Sequence, residues 1–415
     1  MALRRQSVEL AFGMILAQSV TAFTYVVAAR SATPEAFGQV VSVTALGQAI
    51  GGFADWGGVN HALRTYATGA MSPGRFSAWM KGRASWYLVL AAGFAGSTVL
   101  AGVSEVVAIG AAALMWASAM AGPATIPWRV ARQFLRVATA SVASKTAGLV
   151  TIFAVQKLAV SAYLALPSAL ALAWSLEFVI ARTGWPARAK TATGVEPWPW
   201  KGTLRLGASS SLISLQSLDL PILGLVSGAA PAGTFGAVSR WTVPMGLAGA
   251  AVAQAASPGM AQAPTSRAAL SQLRAGLPFL GLGALGVTVV LVFADNLVLL
   301  VLGNQYSGAE EVLRILAVGV MITLVNQPIY ALLVSRRKDR TALTAISVGI
   351  SGQLLAVALF SWQAGAVGAA WGIVVGQLLI FAALTIGTVL ILRQEPRGDD
   401  AQEQERAGLT PRTDA

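Results

Sequence analysis

Few side chains in this sequence could do chemistry, and most of them sit where ionisable groups are costly. Asp219 and Arg240 lie inside long apolar runs, where a charged residue costs at least about 2.5 kcal/mol on insertion scales, so each needs a partner or a watery cavity. At 1.5 Å per residue they fall roughly 9–12 Å inside the same ends of two successive antiparallel helices. They are expected either to meet as a structural ion pair or to leave Arg240 available for an anion, to which its guanidinium fork is suited. Asp55, Asn60, His61 and Arg64 gather at the end of the second apolar run, where they either cap and snorkel or receive a charged headgroup. Gln18, Ser19, Thr21 and Thr24 in the first run face a similar set in the seventh, Ser209, Ser210, Ser214 and Gln216. These serve interhelical hydrogen bonds or the hydroxyls of a ligand in a cavity. Glu177 stands near the end of the sixth run, with no role assigned.

The absent residue types exclude several chemistries. There is no cysteine and only one histidine, His61, so disulfides, thiolate nucleophiles and multi-histidine metal centres are ruled out. Gly281-x-Gly283-x-x-Gly286 matches a dinucleotide fingerprint in form, yet it lies within an apolar run with no strand before it, and no phosphate-binding Gly-x-x-x-x-Gly-Lys loop is present. An enzyme is not expected, nor is any cofactor or metal.

The elements that position these residues follow from composition. Hydrophobic residues make up 55% of the 415 and charged ones 11%, far below the roughly 25% charged of a soluble domain. Apolar stretches long enough to cross about 30 Å of hydrocarbon recur throughout, and backbone satisfaction in lipid makes them helices. The expected class is an all-α polytopic membrane protein with about twelve spans, near 8–29, 37–60, 84–103, 105–122, 138–156, 159–181, 204–227, 235–257, 275–294, 311–334, 341–361 and 367–392. A β-barrel would need alternating segments of about ten residues rather than runs such as Leu280 to Phe293. The first run is also too long for a cleaved signal peptide. About 25 of the 29 basic residues fall on one side, leaving Arg30, Lys157 and Arg314 opposite and Arg240 within a span. This is the positive-inside pattern and places both termini in the cytoplasm of a bacterial inner-membrane protein. The net charge of +12 thus reports orientation, not nucleic-acid binding. Trp79, Trp86, Trp128, Trp185, Trp198 and Trp200 fit an interfacial belt anchored in lipid.

Two halves are expected: a six-helix lobe over 1–182 and another over 204–392. The Pro-containing segment 183–203 is a linker between them, and the polar tail 393–415 is expected to be disordered. A shift of 198 positions lays Gln18-Ser19 on Gln216-Ser217 and Phe37-Gly38 on Phe235-Gly236, mapping helix 1 onto 7 and 2 onto 8. Copies separated by six helices share one orientation, so their pseudo-twofold axis runs along the membrane normal, with a central cavity between the lobes. Pro221, Pro244 and Pro328 each remove a helical hydrogen bond inside a span, as static kinks or as hinges.

Three stretches carry a resemblance. Ala29-Arg30-Ser31-Ala32-Thr33-Pro34-Glu35-Ala36-Phe37-Gly38, followed by Asp55-Trp56-Gly57-Gly58 and Arg64, is the first. Leu302-Gly303-Asn304-Gln305-Tyr306, with Ala309 and Leu313-Arg314-Ile315-Leu316, is the second, and Gly365-Ala366-Val367-Gly368-Ala369-Ala370-Trp371 the third. Together they resemble the polysaccharide (O-antigen type) flippases of the multidrug/oligosaccharidyl-lipid/polysaccharide exporter superfamily, although the element is degenerate around helices 5 and 6. The resemblance implies movement of an isoprenoid-pyrophosphate-linked oligosaccharide across the cytoplasmic membrane by alternating access, without ATP hydrolysis. It implies that substrate, membrane lipids and glycan-assembly proteins are the partners. In that setting Arg240 and Arg30 would face the pyrophosphate while Asp219 holds or releases it, with Asp55, Arg64, Gln18 and Gln216 completing the candidate substrate-binding set. A drug/cation antiporter of the same superfamily would bury more acidic residues. A membrane glycan polymerase or ligase would need a sizeable outer loop with catalytic residues, whereas the longest here, Asp295 to Glu311, lacks a histidine or an arginine pair.

Overall fold

The computed structural model describes residues 2–158, 161–187, 189, 194–201 and 203–394. Among them there is no strand, as the demand for internally paired backbone in lipid requires. The first half comprises α1 (Ala2–Arg30), α2 (Pro34–Asp55), α3 (Pro73–Leu100), α4 (Glu105–Ala124), α5 (Phe134–Lys157) and α6 (Ala162–Thr183). In the second half α7 starts as Leu204–Leu215, tightens through a 3-10 turn at Gln216–Leu218 and resumes as Asp219–Ser227. It is followed by α8 (Ala229–Gln262), α9 (Leu277–Val301) and α10 (Ala309–Ser335). The helix Asp339–Gln394 bends at Ala364 and Gly365 into two arms, α11 (339–363) and α12 (366–394). Gly365 takes φ of 54° and ψ of −128° there, a conformation that side-chain-bearing residues avoid. Twelve long helical segments result among the described residues. Eight stretches, with the bent pair counted once, are long and apolar enough to cross a membrane, and α3, α7 and α8 lie outside that set. The polar tail falls almost wholly beyond the described residues.

Helix boundaries follow local chemistry. The Thr33 hydroxyl accepts the Ala36 amide at 3.3 Å, with Pro34 at the first helical position, and Ser72 with Pro73 starts α3 in the same way. The second span was expected to run to residue 60, but it stops at Asp55. Trp56 and Gly57 adopt positive φ of 44° and 70°, and a separate ten-residue helix, Gly58–Ala67, leads away. Two consecutive left-handed residues cannot continue a right-handed helix.

Within the first half α1 packs on α5 and α4 on α6; within the second, α8 packs on α10 and α10 on the α11–α12 unit. The halves meet chiefly through α2 on α8, α1 on α8 and α2 on α7. At the ends of α2 and α8 opposite the basic loops, a Cβ on Gly38 would fall 1.8 Å from the Ala229 carbonyl oxygen, so only glycine permits this approach. Phe37 and Phe235 are fully buried in the core that both halves share, and Gly236 faces Val41 of α2. The two dipeptides related by the 198-residue shift therefore lie in one crossing.

The segment joining the halves is strapped to the bundle. Trp79 and Trp86 of α3 donate indole N–H bonds to the Pro199 and Pro197 carbonyls, each at 2.8 Å, and Trp200 donates to Ala54 at 2.6 Å. Trp86, Trp198 and Trp200 cluster with ring centroids 5.0–5.8 Å apart. The lipid-belt expectation needs correcting for three tryptophans: Trp79, Trp128 and Trp185 are each at most 6% exposed and belong to the protein core. Their indoles fill the space between helix ends, and Trp185 donates to the Ala124 carbonyl at 3.0 Å.

Candidate functional site

Arg240 projects from α8 about eleven residues, or roughly 16 Å, beyond the helix start. Side chains on a helix lean toward its N-terminus, which carries this guanidinium back to α1. Its central carbon lies 5.2 Å from the centroid of the Tyr25 ring, and Tyr25 is 2% exposed. A desolvated cation–π contact of this kind contributes up to about 2 kcal/mol. It also ties a residue of the second half to a helix of the first. Among the described residues no hydrogen bond or ion pair engages Arg240, and its buried Nε has no acceptor. An orphaned charged donor at membrane depth is costly, and a guanidinium so placed is able to accept an anion.

The expected Asp219–Arg240 ion pair does not form. Asp219 opens the second segment of α7, and its Oδ1 accepts the Leu220 amide at 2.7 Å. The 3-10 turn at Gln216–Leu218 rotates it away from direct contact, so the two charges attract across a gap rather than touch. Gln18 and Gln216 are both partly buried, and among the described residues neither amide makes a hydrogen bond. Ser19, Thr21 and Thr24 instead spend their hydroxyls on carbonyls one turn back in α1, at 2.9–3.0 Å.

Asp55 and Arg64 are not brought together. The turn after α2 directs Asp55 to Arg83 of α3 at 2.6 Å, and the Arg83 side chain is 2% exposed. Arg83 also donates to the Ala119 carbonyl at 3.1 Å and to the Tyr87 hydroxyl at 3.3 Å, while Tyr87 donates to Gly51 at 2.7 Å. Asp55 thereby belongs to a buried polar pin linking α2, α3 and α4. Arg64 is exposed on the short helix, and Arg30 is exposed at the far end of α1, its carbonyl accepting from Gln305 at 3.3 Å.

A second intramembrane pair was missed from sequence. Lys145 of α5 donates to Glu177 of α6 at 3.0 Å, with both side chains at most 7% exposed, and its ammonium lies 3.0 Å from the centroid of the Trp174 ring. Lys145 was reckoned with the basic flank, yet it stands eleven residues into α5, about 16 Å from the helix start. The readable signal was a lone lysine between Ala138 and Val155, matched by the lone acid Glu177 in the next run. Arg83 lies inside α3, and its signal in the sequence is the four-residue spacing of Trp79, Arg83 and Tyr87 on one helical face.

Part of each motif assembles near the crossing of α2 and α8, whereas Asp55 to Gly58 and Arg64 lie at the other end of α2. Tyr306 is fully buried, packs edge-on against Phe37 with centroids 6.5 Å apart, and donates to the Ala29 carbonyl at 3.0 Å. A Cβ added at Gly365 would lie 3.6 Å from the Pro231 ring at the start of α8.

Superposition on known structures decides the architecture. The chain aligns with the lipid II flippase MurJ in an inward-closed conformation at a TM-score of 0.73 and 11% identity, over 92% of this chain and 87% of that one. It aligns with an inward-facing MATE family multidrug-resistance transporter of the MOP superfamily at 0.65 and 16%, over 91% and 96%. The chain has the MOP-superfamily fold. A MOP-superfamily transporter from Pyrococcus furiosus gives a TM-score of 0.61 at 18% identity, over 94% and 96%. No family model matches the chain, and no curated protein matches it in sequence. Together, the MOP fold and the apolar helices make this a multi-pass membrane protein.

Proposed function

We propose that this protein is a flippase that moves an isoprenoid-pyrophosphate-linked oligosaccharide across the bacterial cytoplasmic membrane, with both termini in the cytoplasm. The observation that carries the reading is Arg240, a cation at membrane depth on the contact between halves, held by an aromatic ring, with Asp219 acting on it only across a gap and no hydrogen-bonding partner among the described residues. A phosphorylated carrier supplies what that guanidinium lacks, two acceptor oxygens in bidentate geometry. Asp219 lies near enough to compete for the same charge and so favours release. Gln18 and Gln216, with unengaged amides, contact sugar hydroxyls. Arg30 and Arg64, exposed at opposite ends, attract the headgroup as it leaves and arrives, and Asp55 acts indirectly by fixing the turn that carries Arg64. The lipid II flippase among the structures of this fold supports a lipid-linked cargo. Rocking of the two halves about the α2–α8 crossing would expose Arg240 to each leaflet in turn.

The test is leaflet distribution of the lipid-linked oligosaccharide in cells depleted of the wild-type protein and expressing Arg240→Ala. Accumulation on the inner leaflet, with Arg240→Ala transporting at least tenfold less than wild type at equal abundance, is the expected result. Unchanged distribution on depletion would overturn the function. Wild-type transport by Arg240→Ala would overturn the site alone.

A further inference from the structure

A cavity of about 310 Å³ lies away from the contact between halves, where the start of α9 meets α10. Leu277 and Leu280 of α9 form one wall, and Val325, Pro328 and Ile329 of α10 form the other. Counting back from Ser335, Pro328 lies about 10 Å and Val325 about 15 Å into α10, so the trough runs from the interface into the hydrocarbon. Its apolar walls are open to the surroundings, and Leu277 is 58% exposed. At its mouth stand Arg267 and Arg274, carried by the helix Ser266–Gln272 and the 3-10 turn that follows it. Both are exposed, and among the described residues neither makes a hydrogen bond or an ion pair.

The geometry points to a binding site for one anionic phospholipid, with its phosphate between Arg267 and Arg274 and an acyl chain along the trough. The match is one of charge and depth together. Two uncompensated guanidiniums at headgroup level select a phosphate, and an apolar slot leading inward from them selects a chain covalently attached to it. Basic recesses between transmembrane helices hold anionic headgroups on this physical basis. The site is separate from Arg240 and does not depend on what the protein transports. The trough is lined by Pro328, which interrupts the hydrogen bonding of α10, so a seated chain would brace that helix where it is least self-supporting.

Native mass spectrometry of the purified protein, titrated with phosphatidylglycerol, phosphatidylcholine or an isoprenyl phosphate, tests this. Wild type is expected to retain one phosphatidylglycerol at least tenfold more tightly than phosphatidylcholine. The preference should vanish in Arg267→Gln/Arg274→Gln, and retention should fall in Ile329→Trp, which fills the slot and leaves both charges in place. Each variant is compared at matched thermal midpoint and elution volume, and Arg267→Gln/Arg274→Gln changes only exposed side chains, so it stays informative if Ile329→Trp misfolds. Equal retention of the two phospholipids, or phosphatidylglycerol binding unaltered in Arg267→Gln/Arg274→Gln, overturns the proposal. Tighter binding of the isoprenyl phosphate than of phosphatidylglycerol overturns it as well, assigning the trough to another lipid class.

Discussion

Arg83, Lys145 and Arg240 are three cations in the helices with three different settlements of the same electrostatic cost. Arg83 is paid in full by Asp55, a carbonyl and a tyrosine hydroxyl, Lys145 by Glu177 and the Trp174 face. Arg240 has an aromatic ring and the distant charge of Asp219, with no direct contact to an acid among the described residues. Saturated cations specify structure, whereas Arg240, like Arg129, keeps a buried Nε without an acceptor, which is the ground for proposing a ligand at Arg240. This distinction predicts how substitutions behave. Arg83→Met strands the Asp55 carboxylate and should destabilise the protein by about 3–5 kcal/mol, while Arg83→Met/Asp55→Leu should recover most of that loss, because replacing both partners of a buried pair is often neutral. Thermal midpoints of the purified variants check this, and a double variant as unstable as the single one would show that Arg83 acts through its carbonyl and tyrosine contacts. Sequence made Asp219, Arg240 and Asp55 visible as costly groups. It could not pair them, because pairing depends on a turn at Trp56 and a 3-10 segment at Gln216–Leu218, neither of which hydropathy reports.

At the scale of helices, parts of the three recognisable motifs share one location. The Ala29–Gly38 stretch, the loop ending in Tyr306 and the Gly365 bend converge where α2 crosses α8. Their residues therefore lie on the side opposite the basic loops, and Arg240 stands deeper along α8. Gly38 sets the closeness of that crossing, since a β-carbon there would overlap the Ala229 carbonyl. Gly38→Val should force the crossing apart and reduce transport at least tenfold without loss of abundance. The chain has no native cysteine, so Ser239→Cys placed beside Arg240 gives a unique label. A membrane-impermeant maleimide added outside should react with Ser239→Cys only when Gly38→Val is also present. Equal labelling in both backgrounds would show that the crossing is not the closure.

At the scale of the molecule, the halves touch along α2 at both of its ends, on α8 at one and on α7 at the other. Alternating access requires these contacts to open in turn. On the basic side, a Cβ at Gly52 would lie 2.8 Å from the Ser214 Cβ, near enough for a disulfide after about an ångström of adjustment. Gly52→Cys/Ser214→Cys should lose transport under oxidant and regain it on reduction. Transport indifferent to oxidation, with the cross-link confirmed by mass, would exclude relative motion of α2 and α7.

By itself the sequence determined the solvent: unbroken apolar runs and scarce charge leave helices in lipid as the only way to satisfy the backbone, and glycine, proline and capping residues place most of the ends. Even the bend between the last two helices was legible in Gly365. What tertiary structure alone decided was partnership. Whether an ionisable side chain is quenched or left reactive depends on groups tens of residues away in sequence, brought within a few ångströms by packing, and periodicity along one helix carries no information about its neighbour's face. That is why Asp55 found Arg83, Lys145 found Glu177, and Arg240 was left with the ring of Tyr25.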